Sequence, residues 1–330
     1  MLQKSASLIV PHLLHIYRAI LKLGVYYDPW REFTTIVLCK PGKPRYDIAK
    51  AHRPIALLST VAKVLTALVA NEVGRLTELH QLLPSTHFGG RPGRTTADAV
   101  HYLVHRIKEA WRKGLVASVL FLDVEGAFPN AVTERLVHNL RKRRLPEVYV
   151  KFVQQLLVGR RMRLKFDDYI SAPIEILNGI GQEHPLSMIL YIIYNADLLE
   201  ITGDPVHETS LGFVDDIAVL AIGKNFNKTT GRLWHMMTKE DGGLWGRQDH
   251  NTKFKMSKSV VLHATHRNQP SDEDSRKRVP VDRPQLLLVG QVIQEVQSFK
   301  YLGMQIDAQL RWGEQGQKAA ISALSWILQF

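Results

Sequence analysis

An α+β fold is predicted for this 330-residue chain, and three observations predict it. Strand-like apolar runs and segments of helical period are interspersed without the regular βαβ rhythm of a parallel sheet. A hydrophobic fraction of 45% and a charged fraction of 22% are those of a globular chain with a core to bury. The length suits one large folded unit or two smaller ones, and no internal repeat or low-complexity tract interrupts it.

Leu13, Ile16, Tyr17, Ile20 and Leu21 recur at helical spacing between Leu8 and Leu23, and Gly24 is placed to stop that helix. Phe33–Leu38 is β-branched and reads as a strand, followed by the loop Lys40-Pro41-Gly42-Lys43-Pro44. Ser59 caps a helix expected to reach about Leu79. Val116–Leu122 reads as a buried strand that ends at Asp123. Helical patterns occupy roughly Val132–Arg144 and Pro146–Val158, with short strands at Leu164–Phe166 and Ile174–Ile176. Leu186–Leu199 reads as a helix, and Thr209–Ala221 as a hairpin with Val214-Asp215-Asp216 at its turn. Arg267–Arg283 is expected to be a surface loop or linker before a last hairpin near Leu286–Ile306.

Lys and Arg number 43 against 31 Asp and Glu, a formal net charge of +12. That balance suits a polyanionic partner, either nucleic acid or an acidic membrane surface. The single cysteine, Cys39, excludes a disulfide framework and a CxxC zinc site, and favours an intracellular location. No apolar run approaches the roughly 18 residues needed to cross a bilayer. His12, His15, Arg18 and Lys22 interrupt the N-terminal stretch, so neither a membrane partner nor a signal peptide is expected.

Two acidic sites lie inside apolar strand sequence. Asp123 follows Leu120-Phe121-Leu122, and Asp215-Asp216 stands between Leu211-Gly212-Phe213 and Ile217–Leu220. Carboxylates are rarely placed so without a counter-charge. Two divalent ions bridged by Asp123 and Asp215 would supply one, roughly 3.5–4 Å apart, activating an attacking oxygen and stabilising a leaving one. Asp-Asp is also ordinary chemistry for a polar hairpin turn. Patterning alone leaves both readings open.

The segments Phe121-Leu-Asp-Val-Glu-Gly-Ala-Phe-Pro-Asn130 and Gly212-Phe-Val-Asp-Asp-Ile-Ala-Val-Leu220 resemble the two catalytic motifs of reverse transcriptases. The likeness is nearest to the LINE-type (non-LTR) retrotransposon enzymes, particularly the fungal ones. Six further landmarks follow in the family's order: Lys40-Pro-Gly-Lys43, His52-Arg-Pro-Ile55, Phe88-Gly-Gly-Arg91, Gly179-Ile-Gly-Gln182 with Pro185-Leu-Ser187, Ser257-Lys-Ser259 and Phe299-Lys-Tyr-Leu-Gly303. The resemblance runs from about Tyr26 to Leu324. A lone Asp-Asp is weak evidence, but eight ordered motifs are strong.

The resemblance implies a right-hand polymerase fold, with residues 31–306 as fingers and palm. A helical extension would occupy residues 1–30, and the start of a truncated thumb residues 307–330. It implies two Mg²⁺ ions, with Mn²⁺ as a substitute, held by Asp123, Asp215, Asp216 and the Val124 carbonyl. The reaction would be in-line attack of a DNA primer 3′-hydroxyl on a dNTP along an RNA template, releasing pyrophosphate. Lys40 and Arg53 match positions that contact the triphosphate, and an ammonium and a guanidinium suit phosphate oxygens. Phe128 matches the aromatic that excludes a 2′-hydroxyl, Gln182 lies at the nucleotide, and Lys258 matches the lysine that protonates the leaving pyrophosphate. A P-loop is excluded, since Val37 holds the first glycine position and Pro44 follows Gly42-Lys43.

The family pattern after the glutamine is glycine and then a small or acidic residue, whereas Gln182 is followed by Glu183 and His184. A glutamate there is expected to crowd the nucleotide and repel its phosphates, so a chain that folds and binds nucleic acid without polymerising is the alternative reading. Another two-metal enzyme is a weaker third, because Phe128 argues against ribonucleotides and the fingers motifs against a nuclease. Arg135–Lys165 carries ten Lys or Arg against Glu147 alone, a net +9 that suits template or primer phosphates or a solvated helical face. Arg276-Lys277-Arg278 is a candidate nuclear import signal. Neither the endonuclease nor the RNase H domain common in such elements is expected in 330 residues.

Overall fold

The structure, a computed structural model, describes residues 5–42, 44–48, 51–181, 184–244, 253–270 and 278–327. In chain order, the first half runs α1 (Ala6–Leu23), β1 (Glu32–Cys39), β2 (His52–Leu57), α2 (Thr60–Leu79), α3 (Thr96–Arg112), β3 (Val116–Leu122), β4 (Val124–Glu125), α4 (Thr133–Lys142) and α5 (Glu147–Leu157). Next come β5 (Arg160–Phe166), β6 (Tyr169–Ile170), β7 (Ile174–Ile176), α6 (Ser187–Asn195), β8 (Glu208–Phe213), β9 (Asp216–Gly223) and α7 (Phe226–Thr238). The last part holds β10 (Lys253–Phe254), β11 (Val260–Ala264), β12 (Asn268–Pro270), β13 (Arg278–Pro280), β14 (Leu286–Leu288), β15 (Gln291–Glu295), β16 (Ser298–Tyr301), β17 (Met304–Asp307) and α8 (Gly313–Ile327). The chain forms two compact units, each assembled from two segments: Met1–Leu83 with Gly126–Tyr194, and Pro84–Glu125 with Asn195–Phe330.

In the first unit β1 pairs antiparallel with β2 and parallel with β5, and β5 carries β6 and β7. Ser59 caps α2 as expected, its hydroxyl accepting from the Ala62 N–H. Helix α6 is apolar on nearly every side because it is buried on nearly every side, with Leu190–Tyr194 sealed from solvent and Met188 left exposed. The Tyr194 hydroxyl accepts from the Val132 N–H at 3.1 Å, and its carbonyl accepts from Asn139 Nδ2 at 3.1 Å.

Gly24 ends α1 in the left-handed conformation, returning its N–H to Ile20 O. One expectation about this helix is overturned. By length and composition α1 is able to cross a membrane, because Arg18 and Lys22 are its sole charged residues and a helix tolerates two. Its Tyr17 and Ile20 are buried, and the Tyr17 hydroxyl donates to Val61 O at 2.8 Å. Most of its remaining apolar face, including Leu8 and Leu23, is exposed.

The second unit centres on a six-stranded sheet in the order β14-β15-β11-β3-β9-β8. All seven residues of β3 are buried, at the limits the sequence predicts. The unbroken apolar run has a simple cause: both faces of β3 are covered. Ala117, Val119 and Phe121 join a core with Leu103 and Ile107 of α3, while Ser118 faces α7 and bonds Thr229 Oγ1 at 2.6 Å. Helix α3, which the periodicity reading passed over, opens with a capping box between Thr95 and Asp98.

Two further expectations are corrected. Arg267–Arg283 is not a loop throughout, since β12 and β13 pair within it. The last hairpin is in fact two, β14/β15 and β16/β17, because Val289-Gly290 and Leu302-Gly303 each turn the chain. Arg276 and Lys277 of the candidate import signal lie outside the described residues.

Candidate active site

In the second unit β3 and β9 run antiparallel with Leu122 opposite Ile217, so Asp123 and Asp216 emerge at the same end of neighbouring strands. Phe213 pairs with Asp216 across β8 and β9, leaving Val214-Asp215 as a two-residue turn. Val214 has φ +63, in the left-handed region that β-branched residues avoid. The surroundings enforce that conformation. Asn195 Nδ2 donates to Val214 O at 3.3 Å, and Phe88 N–H donates to Gly212 O at 2.8 Å. Gly89 lies against the turn itself; a Cβ there would stand 2.6 Å from Val214 N. The Phe88-Gly-Gly-Arg motif therefore buttresses the Asp215-Asp216 turn, a role that sequence order alone did not reveal.

The carboxylates disturb one another. Both Asp215 and Asp216 reach solvent, yet the protein around them raises both acids, Asp216 to about 6. Desolvation is the larger cause, and the negative charge of Asp123 adds to it at both residues. Lys258 Nζ stands 3.5 Å from Asp123 Oδ2. Lys255 N–H donates to Asp123 O at 2.8 Å, and Val124 pairs with Phe254 between β4 and β10. No group of three or more acidic, His or Cys side chains among the described residues stands close enough to enclose an ion. The donor set still fits a hard divalent cation: carboxylate oxygens, open to solvent, whose repulsion such an ion relieves. Asp123, Asp216 and Lys258 line a groove of about 340 Å³ with Phe299 and Tyr301. The Tyr301 hydroxyl has no hydrogen-bond partner among the described residues, and burial, then Asp216, raises its pKa.

In the first unit Arg53 lies opposite Leu38 on the β1/β2 ladder. Lys40 and Arg53 line one cavity of about 510 Å³ with Pro129, Arg160, Asn178 and Gly179. Phe128 is next to that cavity in sequence, and its ring stacks on Tyr191 with centroids 4.6 Å apart. Gln182 and Glu183 lie outside the described residues. His184 turns into a small apolar pocket with Tyr26, Trp30 and Leu190. Burial, then the nearby Arg160, lowers its pKa to about 4.

The basic stretch is partly spent on internal contacts. Arg141 pairs with Glu147 at 2.7 Å, Arg163 with Glu32 at 2.8 Å, and Arg143 donates to Leu82 O. Arg160 is buried, where the charge count reads it as a surface cation.

Mixed helix and sheet, an acidic hairpin beside a third carboxylate, and a cationic cavity are features of a nucleotide polymerase. The family pattern described as reverse transcriptase (RNA-dependent DNA polymerase) matches residues 40–306, and the chain belongs to that family. Over 303 residues it is 26% identical to the probable RNA-directed DNA polymerase from transposon BS of Drosophila melanogaster, covering 90% of this chain and 32% of that protein. Over 325 residues it is 24% identical to the RNA-directed DNA polymerase from mobile element jockey of the same species, covering 95% and 33%. The chain thus spans about a third of the length of these relatives. Apo telomerase from Candida tropicalis, truncated from its C-terminal domain, matches with a TM-score of 0.54 at 10% identity, over 87% of this chain and 55% of that one. The fold is the right-hand polymerase fold.

Proposed function

We propose that the chain is the polymerase region of a LINE-type (non-LTR) retrotransposon protein, fungal in type by its motifs, and that it copies RNA into DNA. One observation carries the reading: Asp123 at the end of β3 stands beside the Asp215-Asp216 turn, whose Val214 is held at positive φ by Gly89 and Asn195. Residues 31–306 are assigned to fingers and palm, residues 1–30 to a helical extension and residues 307–330 to the start of a thumb.

Asp123 and Asp215 are the metal ligands, with the Val124 carbonyl as a further oxygen and Asp216 supporting the primer end. Two Mg²⁺ ions, or Mn²⁺, when bound supply charge stabilisation to the attacking and leaving oxygens. Lys40 and Arg53 hold the triphosphate of a dNTP, and Phe128 stands under its sugar. Lys258 delivers the proton to the departing pyrophosphate. The basic surface around Arg135, Lys142 and Lys151 engages template or primer phosphates. Such a protein acts in the nucleus of its cell.

The test is primer extension on an RNA template with dNTPs and Mg²⁺. Extension that EDTA abolishes supports the reading. Tight nucleic-acid binding with no extension under Mg²⁺ or Mn²⁺ favours the non-polymerising alternative, motivated by Glu183. In that case Glu183→Gly is expected to restore extension. His184 is left unchanged, because its apolar pocket would have to bury a carboxylate in His184→Asp.

A further inference from the structure

Arg160 opens β5, and its side chain is 8% exposed. Burying a guanidinium is costly unless its donors are met. Here they meet backbone carbonyls: Nε donates to Leu157 O at 3.0 Å and Nη2 donates to Gly179 O at 2.6 Å. Burial lowers the pKa to about 10, so the group is still charged at neutral pH.

Gly179 is the second half of the contact. It has φ +94, and a Cβ would stand 2.6 Å from Pro129 O, so a side chain is barred twice. Its N–H donates to Ala131 O at 2.8 Å, and the Ile180 N–H donates to Phe128 O at 2.8 Å. The loop 178–181 is thus tied to the Phe128–Ala131 turn by two amides and to Arg160 by its carbonyl.

We infer that Arg160 is a positioning residue for nucleotide selection: by clamping the Gly179 carbonyl it fixes the loop that holds the Phe128 backbone, and so sets where the Phe128 ring stands beneath the incoming sugar. This rests on the assignment of Phe128 proposed above. Two divergent carbonyls suit a forked, planar cation and not a point-charge ammonium, so lysine is a poor replacement.

The experiment compares the full chain with Arg160→Lys, which keeps the charge, and Arg160→Met, which keeps the stem. Amide hydrogen exchange at Gly179 and Ile180 is expected to quicken in both variants by about tenfold or more, with β3 amides unaffected. In primer extension at equal folded concentration, KM for dNTP is expected to rise and the preference for dNTP over rNTP to fall about tenfold, with kcat for the correct nucleotide changed less. A lost preference in Arg160→Lys, whose charge and fold are retained, is not what general destabilisation gives. Unchanged exchange at Gly179 and Ile180 overturns the clamp. Faster exchange with an unchanged dNTP/rNTP preference overturns the link to Phe128. If the unsubstituted chain extends no primer, the polymerase reading fails by itself, and the exchange measurement still decides whether Arg160 holds the loop.

Discussion

The two units set their candidate site residues, carboxylates in the second and cations in the first, on sheets of opposite character. In the second unit the acidic turn springs from a sheet whose central strand is buried at every residue. In the first, Arg53 and the start of the Lys40 loop lie on β1 and β2, where Thr35 alone among the β1 residues is fully buried. The carboxylates must hold one geometry against their own repulsion, which a rigid two-sided core supports. The proposed role of the cationic strand pair, holding a flexible triphosphate, tolerates a thinner support.

The sharpest break of that comparison is Asp215→Asn, expected to reduce primer extension by about a thousandfold or more while leaving template binding nearly intact. Wild-type extension by this variant would remove the metal-ligand assignment. Next is stability. Leu120→Ala, at a fully buried position of β3, is expected to cost about 2–5 kcal/mol in denaturant unfolding. Leu38→Ala on β1, where the side chain is 48% exposed, should cost about 0.5 kcal/mol or less. Equal losses would erase the contrast between the sheets.

A pH titration probes the second unit through His263. His263 bonds Ser118 Oγ through Nδ1 at 2.7 Å, and desolvation lowers its pKa to about 4, with Arg283 adding to the effect and Glu295 opposing it. The folded protein keeps this imidazole neutral, whereas the unfolded chain takes up a proton below about 6.5. Stability therefore falls as the pH drops from 6.5 towards 4, by up to about 3 kcal/mol, and is unaffected by this group above 6.5. His263→Asn should remove this group's share of the slope in urea melts, leaving the share that His184 of the first unit adds. The smallest expected effect is that of Phe128→Ala, which should raise ribonucleotide use relative to deoxynucleotide by about tenfold. An unchanged ratio in an active protein would return Phe128 to the role of a packing ring on Tyr191.

Much of this was legible in the chain. Val116–Leu122 announces a two-sided strand by its unbroken apolar run, and Ser59 and Gly24 mark helix ends by chemistry that acts within four residues. The motif order carried the family. Contacts distant in sequence were not legible. Gly89 reads as half of a Gly-Gly pair, and its approach to Val214 appears once β8 is in place. Arg160 reads as one more cation in a basic run, since charge counts carry no depth. Helix α1 shows the converse error: scanning for an unbroken apolar run overlooks that two histidines leave a helix apolar enough for a membrane.

The discontinuous build of the second unit has a consequence for synthesis. Strand β3 leaves the ribosome about a hundred residues ahead of β9, its antiparallel neighbour, and β11 follows later still. At elongation rates of about 5–20 residues per second, Val-Ala-Ser-Val-Leu-Phe-Leu waits roughly 5–20 s without the strands that will flank it. An uncharged, β-prone heptapeptide of this kind pairs readily with its copies on neighbouring chains. Yield of soluble protein should therefore depend on chaperones that shield nascent strands, and on slow expression more than on the stability of the finished fold.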